Sequence, residues 1–211
     1  MIEAFLAAWL GVALAQASPG PNMMAVASVA LGQGRKAALL LVAGIGTGTL
    51  VWAAAVSFGL GALFSAFPLL LTLLKFAGGF YLLLIAYRAL RAIVAGETST
   101  VTASKAPLSD LDAWRRGFFV VMTNPKAALM WSAVATFLFG AGLGSAQVLA
   151  FGPMVALSAV AIYGTYGLLF STGMAMRTYG RFWRAIEAAF GLAFGALGAT
   201  LLVWGIRDLR S

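Results

Sequence analysis

Residues 2–31 read IEAFLAAWLGVALAQASPGPNMMAVASVAL, an apolar run with one interruption at Ser18-Pro19-Gly20-Pro21-Asn22. A bilayer hydrocarbon core about 30 Å thick requires about 20 residues of apolar helix. This run is long enough, and its one charged residue is Glu3, near its start. We therefore interpret it as a membrane span that is broken by the proline motif.

The same run has to be distinguished from a cleaved signal peptide. Ala15-Gln16-Ala17 resembles a small-residue cleavage site. However, a basic segment is missing ahead of the apolar run, and Pro19 and Pro21 follow the site closely. We expect residues 2–31 to be a retained first span.

Five further apolar runs follow. They cover about 37–63, 69–90, 118–139, 148–170 and 186–206. They are apolar on all sides and do not alternate with polar residues as the strands of a membrane barrel do. The predicted fold class is therefore an all-α integral membrane protein with six transmembrane helices.

The segment Gly96–Asp112, GETSTVTASKAPLSDLD, is polar and divides the runs into two groups of three. We predict one membrane domain over residues 1–211, with half one at 1–95, a cytoplasmic linker at 96–113 and half two at 114–211. Within the linker, Ser109 and Asp112 have the spacing of a capping box, although a plain surface loop is equally compatible.

An odd number of spans per half gives the halves opposite orientations, as in transporters built from inverted repeats. The first span of each half carries a proline interruption, and the second one is Asn124-Pro125-Lys126. We therefore expect two inverted three-helix repeats whose first helices are broken. Gly44 and Gly48 have the spacing of a GxxxG motif, which allows close helix contact but is a weak signal in glycine-rich helices.

Composition agrees with a membrane protein. Hydrophobic residues make up 62% of the chain and charged residues 9%, against about a quarter charged in soluble domains. The net charge of +8 could indicate nucleic-acid binding, but the basic residues lie in the short gaps between apolar runs. We expect the lipid bilayer as partner, with no nucleic acid.

The chain contains no cysteine and no histidine. Disulfides, thiolate nucleophiles, zinc sites and imidazole acid–base chemistry are thereby excluded. We expect no metal, no other cofactor and no catalytic residue.

Lysine and arginine predict the orientation. The gaps after spans one, three and five hold two, five and three of them, whereas the other two gaps hold none and the C-terminal tail holds Arg207 and Arg210. Because cytoplasmic loops are enriched in basic residues, we predict that the basic gaps are cytoplasmic and that both termini lie outside.

The two interruptions are the candidate binding site. Asn124 is a good N-cap and Pro125 suits the first helical position, so a half-helix should begin inside the membrane with Lys126 in its first turn. The first break is similar, with Ser18 or Gly20 as the cap and Pro19 or Pro21 in the first turn. Two positive helix ends and a lysine suit a carboxylate. The remaining side chains predicted to contact a polar solute are Gln16, Ser18, Asn22 and Asn124. The alternative is a pair of proline kinks without a ligand.

Each of the other candidate residues also has a purely structural explanation. Lys75 either snorkels to the interface or lines the outer pathway. Glu187, three residues after Arg184, either forms an interfacial ion pair or couples transport to protons. Thr47 and Thr49 in span two and Tyr163 and Tyr166 in span five are predicted to line a cavity, although tyrosine at this depth often serves packing.

These residues resemble the LysE/RhtB family of amino-acid exporters. The similar stretches are Ser18–Asn22, Gly44–Gly48, Phe58–Phe64, Leu74–Leu82 and Thr123–Ala127. The resemblance implies efflux of an amino acid or a derivative across the bacterial inner membrane, driven by protons or by exchange. Relatives often carry a histidine or acid in span two and an acid in span five. Here Trp52 stands near the first position and span five has no acid.

The sequence thus predicts a secondary exporter. A channel or structural subunit of a larger complex is the alternative, and an intramembrane enzyme is disfavoured because nucleophile–base pairs and metal clusters are missing from the spans. The sequence identifies neither the solute nor the oligomeric state, and a homo-oligomer remains open.

Overall fold

The computed structural model of the chain describes residues 1–60, 68–96, 104, 107–172 and 174–209. Regular structure in these residues is entirely helical. The helices are α1 (Ile2–Ala17), α2 (Pro21–Ala55), α3 (Pro68–Ala95), α4 (Asp110–Met122), α5 (Pro125–Gly140), α6 (Ser145–Phe170) and α7 (Met174–Asp208), and a π-helical turn at Val56–Leu60 extends α2.

Two helical segments in the described residues, Pro21–Gly59 and Ser145–Phe170, are long and apolar enough to cross a membrane. The pair α4 and α5, bent by 56° at a short break, adds a third if it counts as one span. The predicted all-helical membrane class is confirmed. The number of six spans and their arrangement as inverted repeats stay predictions.

The long helix α2 reverses direction at Gly34. Its backbone angles there are φ 82° and ψ −170°, which favour glycine. Val26 and Ala38 both approach Gly167 of α6, within 3.5 Å of where its Cβ would stand. Twelve residues of straight helix would separate them by about 18 Å. Residues on the two sides of Gly34 therefore pack against the same part of α6, so α2 consists of two helices joined at this glycine.

Glycines bring α2 and α4 into backbone contact. A Cβ at Gly44 would lie 2.0 Å from the carbonyl oxygen of Trp114, and one at Gly117 would lie 1.9 Å from that of Leu41. A Cβ at Gly48 would lie 2.4 Å from the side chain of Val121. The glycine spacing in span two thus corresponds to a helix contact within the chain.

The outward faces of the helices are apolar. On α1, Leu6, Leu10 and Leu14 follow one another at intervals of one turn and are about half exposed, whereas Val12 and Gln16 are buried. A contiguous apolar surface of this kind is a liability in water but matches lipid. The helix is therefore apolar both towards its protein neighbours and away from them.

Three of the predicted loops meet at one end of the structure. The Lys36 ammonium contacts the Asp110 carboxylate at 2.7 Å, and the Arg35 guanidinium donates to the Ser171 hydroxyl at 3.2 Å. The gaps after spans one, three and five, which hold most of the basic residues, therefore lie on a common side.

The N-cap half of the capping box predicted in the linker is present. Ser109 caps α4, because its hydroxyl oxygen accepts from the Asp112 amide at 3.1 Å and its hydroxyl donates to the Asp112 carboxylate at 2.6 Å. The helical alternative for this part of the linker is confirmed, and α4 begins before the predicted boundary at residue 114. Linker residues 97–103, 105 and 106 lie outside the described residues.

Candidate functional site

The first break separates α1 from α2. The Ser18 amide donates to Leu14 O at 3.0 Å and its hydroxyl donates to Ala15 O at 2.8 Å, so Ser18 closes α1. Gly20 is the cap of α2 and Pro21 occupies its first turn. Of the two caps predicted for this half-helix, the structure uses Gly20.

The second break separates α4 from α5. Asn124 caps α5 as predicted, because its Oδ1 accepts from the Lys126 amide at 2.9 Å, and Pro125 stands in the first turn. A break also frees carbonyl groups at the end of the preceding helix. Near the end of α4, Val121 O accepts from the Asn124 amide at 3.4 Å and from the indole N–H of Trp52 at 3.2 Å. Trp52 therefore adds a hydrogen bond to this break from α2.

The two breaks contact each other through buried amides. Asn124 Nδ2 donates to Asn22 Oδ1 at 3.0 Å, and Asn22 Nδ2 donates to the Tyr163 hydroxyl at 3.3 Å. All three side chains are buried. This chain of hydrogen bonds connects half one with half two and with α6.

Lys126 lies between the breaks. Its Nζ donates to the carbonyl oxygens of Ser18 and Pro19, both at 3.2 Å, and also to the Ser18 hydroxyl. The ammonium lies 5.3 Å from the centre of the Phe194 ring on α7, a cation–π distance. A Cβ at Gly20 would be 3.3 Å from Nζ. The carbonyl end of α1 carries partial negative charge, so it compensates the lysine.

Hydrogen bonds of Gln16 and Tyr166 join the end of α1 to α6. Gln16 Nε2 donates to Val155 O at 3.0 Å, and the Ser158 hydroxyl donates to Gln16 Oε1 at 2.8 Å. The Tyr166 hydroxyl donates to Ala17 O, the last carbonyl of α1, at 2.6 Å. These side chains orient the end of α1.

A cavity opens beside these groups. The part that the centre of a water molecule can reach measures about 20 Å³, room for about one water. Its polar lining is Gln16, Thr49, Asn22, Asn124, Lys126 and Tyr163, and its apolar lining is Ala15, Val121, Ala127, Met130, Trp131 and Ala159. The cavity is thus polar at the breaks and apolar beyond them.

Some predicted residues lie elsewhere. Thr47 donates to Ala43 O on its own helix at 3.0 Å and does not line the cavity, whereas Thr49 does. Ser18 and Tyr166 contact the site through hydrogen bonds without lining the cavity. The side chains of Lys75 and Glu187 lie outside the described part of the structure.

The sequence interpretation missed Met130, Trp131 and Ala159 as lining residues. Met130 follows Lys126 by four residues on α5, so helical periodicity from the break places it on the same face. Trp131 follows by five residues, about 140° around the helix, so this periodicity did not indicate it. Ala159 carries no such signal, because its place depends on how α6 packs.

Comparison with known proteins identifies the chain's family. A family model described as LysE type translocator matches residues 13–205. The chain belongs to this family. As a LysE type translocator it is a multi-pass membrane transporter and not an enzyme, which confirms both predictions.

The curated relatives of this LysE type translocator include efflux proteins. It is 26% identical to the threonine efflux protein of Escherichia coli K12 over 204 residues, 96% of this chain and 99% of the relative. It is 29% identical to the homoserine/homoserine lactone efflux protein of Salmonella typhimurium over 187 residues, 87% of this chain and 88% of the relative. No solved structure matches the chain.

Proposed function

We propose that the chain is a secondary active exporter of amino acids or small amino-acid derivatives across the bacterial inner membrane. Its relatives named for threonine and homoserine efflux span nearly the same length. The observation that carries the proposal is the meeting of two broken helices around Lys126. Broken helices that meet at the repeat interface are the usual place for solute binding in secondary transporters.

In this proposal the solute's carboxylate binds Lys126. An ammonium group donates up to three hydrogen bonds, and the contacts described for Lys126 include the uncharged oxygens of Ser18 and Pro19. A carboxylate oxygen forms a stronger, charge-assisted bond than a carbonyl does. The solute therefore replaces one contact to the end of α1. Asn22 and Asn124 contribute to the binding of the rest of its polar part.

Binding and release require the cavity to change size. Its water-accessible part of about 20 Å³ is too small for an amino acid. We propose that this is a contracted arrangement and that exchange of the Lys126 contacts accompanies widening of the cavity. Such coupling of a local contact to a larger movement is the essence of alternating access.

The proposed topology has six spans in two inverted repeats, with both termini outside. The pairing of spans three and six supports it, since a Cβ at Gly79 of α3 would lie 2.7 Å from Leu202 of α7. The common side occupied by Lys36, Asp110 and Ser171 supports the alternation of loops. The excess of basic residues on that side makes it cytoplasmic.

Counterflow in proteoliposomes tests the function. Vesicles loaded with unlabelled threonine or homoserine should accumulate the labelled solute transiently, because a carrier exchanges substrate across the membrane. The matched control is a vesicle loaded with a non-substrate sugar. Uptake without acceleration by internal solute would indicate a channel, and the absence of uptake for a panel of amino acids would contradict the proposal.

A further inference from the structure

The indole N–H of Trp131 is unusual in its hydrogen bonding. It lies on α5, is only 1% exposed and lines the cavity. No hydrogen-bond acceptor for its indole N–H is found in the described residues. Buried N–H groups in proteins nearly always have a partner, so an exception calls for an explanation such as a bound water or a ligand.

Other buried donors near the cavity show that the exception is local. Gln16 donates to Val155 O at 3.0 Å and Thr49 to Ile45 O at 2.8 Å. Trp52 is the closest comparison, because its indole N–H donates to Val121 O at 3.2 Å. Among the described residues, the indole of Trp52 beside the break thus has an acceptor, whereas that of Trp131, which lines the cavity, has none.

The position of Trp131 separates it from Lys126. Five residues of helix correspond to about 7–8 Å along the axis. The Lys126 side chain extends towards the end of α1, in the direction of the break, whereas Trp131 lies farther along α5. The two side chains therefore start from positions on α5 that are far enough apart to contact different ends of a small solute. Between them the lining is apolar, from Ala127, Met130 and Ala159.

We propose that Trp131 determines specificity, its indole N–H donating to an oxygen on the solute's side chain while the carboxylate binds Lys126. The inference rests on the proposed function and narrows the substrate class to amino acids or derivatives with a side-chain oxygen. A site with a buried donor discriminates against an analogue that lacks the acceptor, because the donor is then left unpaired.

Trp131→Phe tests the proposal by removing the N–H and retaining an aromatic ring. Competition against labelled threonine in proteoliposomes gives the ratio of threonine to valine affinity, since valine has the same shape without the hydroxyl. A second pair is homoserine and 2-aminobutyrate. We expect wild type to favour the hydroxyl compound and the variant to lower the ratio by about 2- to 12-fold, the range of one hydrogen bond. Trp9→Phe, at a partly buried tryptophan of α1 outside the cavity lining, is the control and should leave the ratio unchanged.

A second measurement tests the proposal on the wild-type protein alone, in case Trp131→Phe inserts poorly. In detergent, threonine should raise the unfolding temperature of wild type more than equal valine does, because the better ligand stabilises more. An unchanged ratio in Trp131→Phe, or equal stabilisation of wild type by the two compounds, would overturn the role of Trp131. Failure of wild type to bind any amino acid would instead overturn the proposed function.

Discussion

Lys126 shows how a charge is accommodated inside a membrane span. A lysine at this depth costs about 2.5–3.5 kcal/mol on insertion scales, so a compensating partner is expected. The structure supplies it in the carbonyl oxygens of Ser18 and Pro19 and in the Phe194 ring. The carbonyl oxygens and the ring lower the free-energy cost of burying the ammonium, and in the proposed mechanism a solute carboxylate takes the place of one of these oxygens.

Lys126→Met should separate carboxylate binding from a purely structural role. The variant keeps a similar length and removes the charge, so the affinity for an amino acid should fall by about 1.5–3 kcal/mol, the range for a charge-assisted hydrogen bond. The affinity for the amide of the same amino acid should fall much less. Binding of both forms to detergent-solubilised wild type and variant measures the difference.

Two lysine variants serve as controls for that experiment. Lys126→Arg keeps the charge but is planar and larger, so it should recover affinity only in part. Lys36→Met removes an exposed lysine at the loop end and should leave both affinities unchanged. Equal losses for acid and amide in Lys126→Met would identify a structural lysine and contradict the carboxylate site.

At the residue level, the sequence predicted what depends on neighbours along the chain. Asn124, Pro125 and Lys126 follow one another, and the cap they predict is present. Thr47 and Thr49 differ by two positions, which is more than half a turn of helix, so only one of them faces the cavity. Which one does so depends on the packing of α2 against α4 and α6, and this is information that span two alone does not contain.

At the level of the helix, the N-cap of α5 is expected to contribute to solute binding as well as to stability, unlike an ordinary cap. Asn124→Ala should destabilise by about 0.5–2 kcal/mol for the cap alone and should also break the bond to Asn22. Ser109→Ala removes a comparable cap from α4 at an exposed position. Thermal unfolding in detergent together with solute binding compares the two.

Both cap variants should lose stability, but only Asn124→Ala should lose solute affinity. The reason is that Asn124 joins the two breaks and lines the cavity, whereas Ser109 is not among the lining residues. Similar losses of affinity in both variants would mean that the cap acts through general stability and that the junction of the breaks has no special part in binding.

The close contact of α2 and α4 gives a prediction at a single glycine. In Gly117→Ala the new methyl group would lie 1.9 Å from Leu41 O, so the backbones must separate. We expect destabilisation by about 1–3 kcal/mol, typical of overpacking. Gly11→Ala on α1 is the matched control, because a Cβ there has no neighbour within 4 Å.

Gly11→Ala should be neutral or slightly stabilising, since alanine is the better helix former. Unfolding in detergent and the amount of each variant in the membrane are the measurements. A Gly117→Ala protein as stable as wild type would show that α2 and α4 do not pack as closely as described. The sequence indicated glycine spacing in span two, but Gly117 has no partner glycine one turn away on α4, so its role was not predictable.

Over the whole molecule, composition alone was sufficient for the class of fold. A chain with 62% hydrophobic residues has no soluble arrangement that hides them, and the helices are apolar on their outer faces as well. The meeting of the two breaks is different. It depends on contacts between residues about a hundred positions apart, such as Asn22 with Asn124, which periodicity along the chain does not reveal.

The orientation of the whole molecule can be tested because the chain has no cysteine of its own. Single cysteines at Ser109 and Thr172, both exposed on the side that holds the basic loops, should be protected from a membrane-impermeant thiol reagent in intact cells. A cysteine at Ala141, exposed after α5, should react. Ala141 is preferable to Gly142, whose φ of 79° would strain a side chain. Permeabilised cells provide the control, in which all three positions should react. Labelling of cysteines at positions 109 and 172 in intact cells, with protection of the one at position 141, would show the opposite orientation.

Basic residues act on orientation during insertion, so replacing Arg35 and Lys36 together by glutamine should weaken the difference in labelling between the two sides while leaving the cavity residues unchanged.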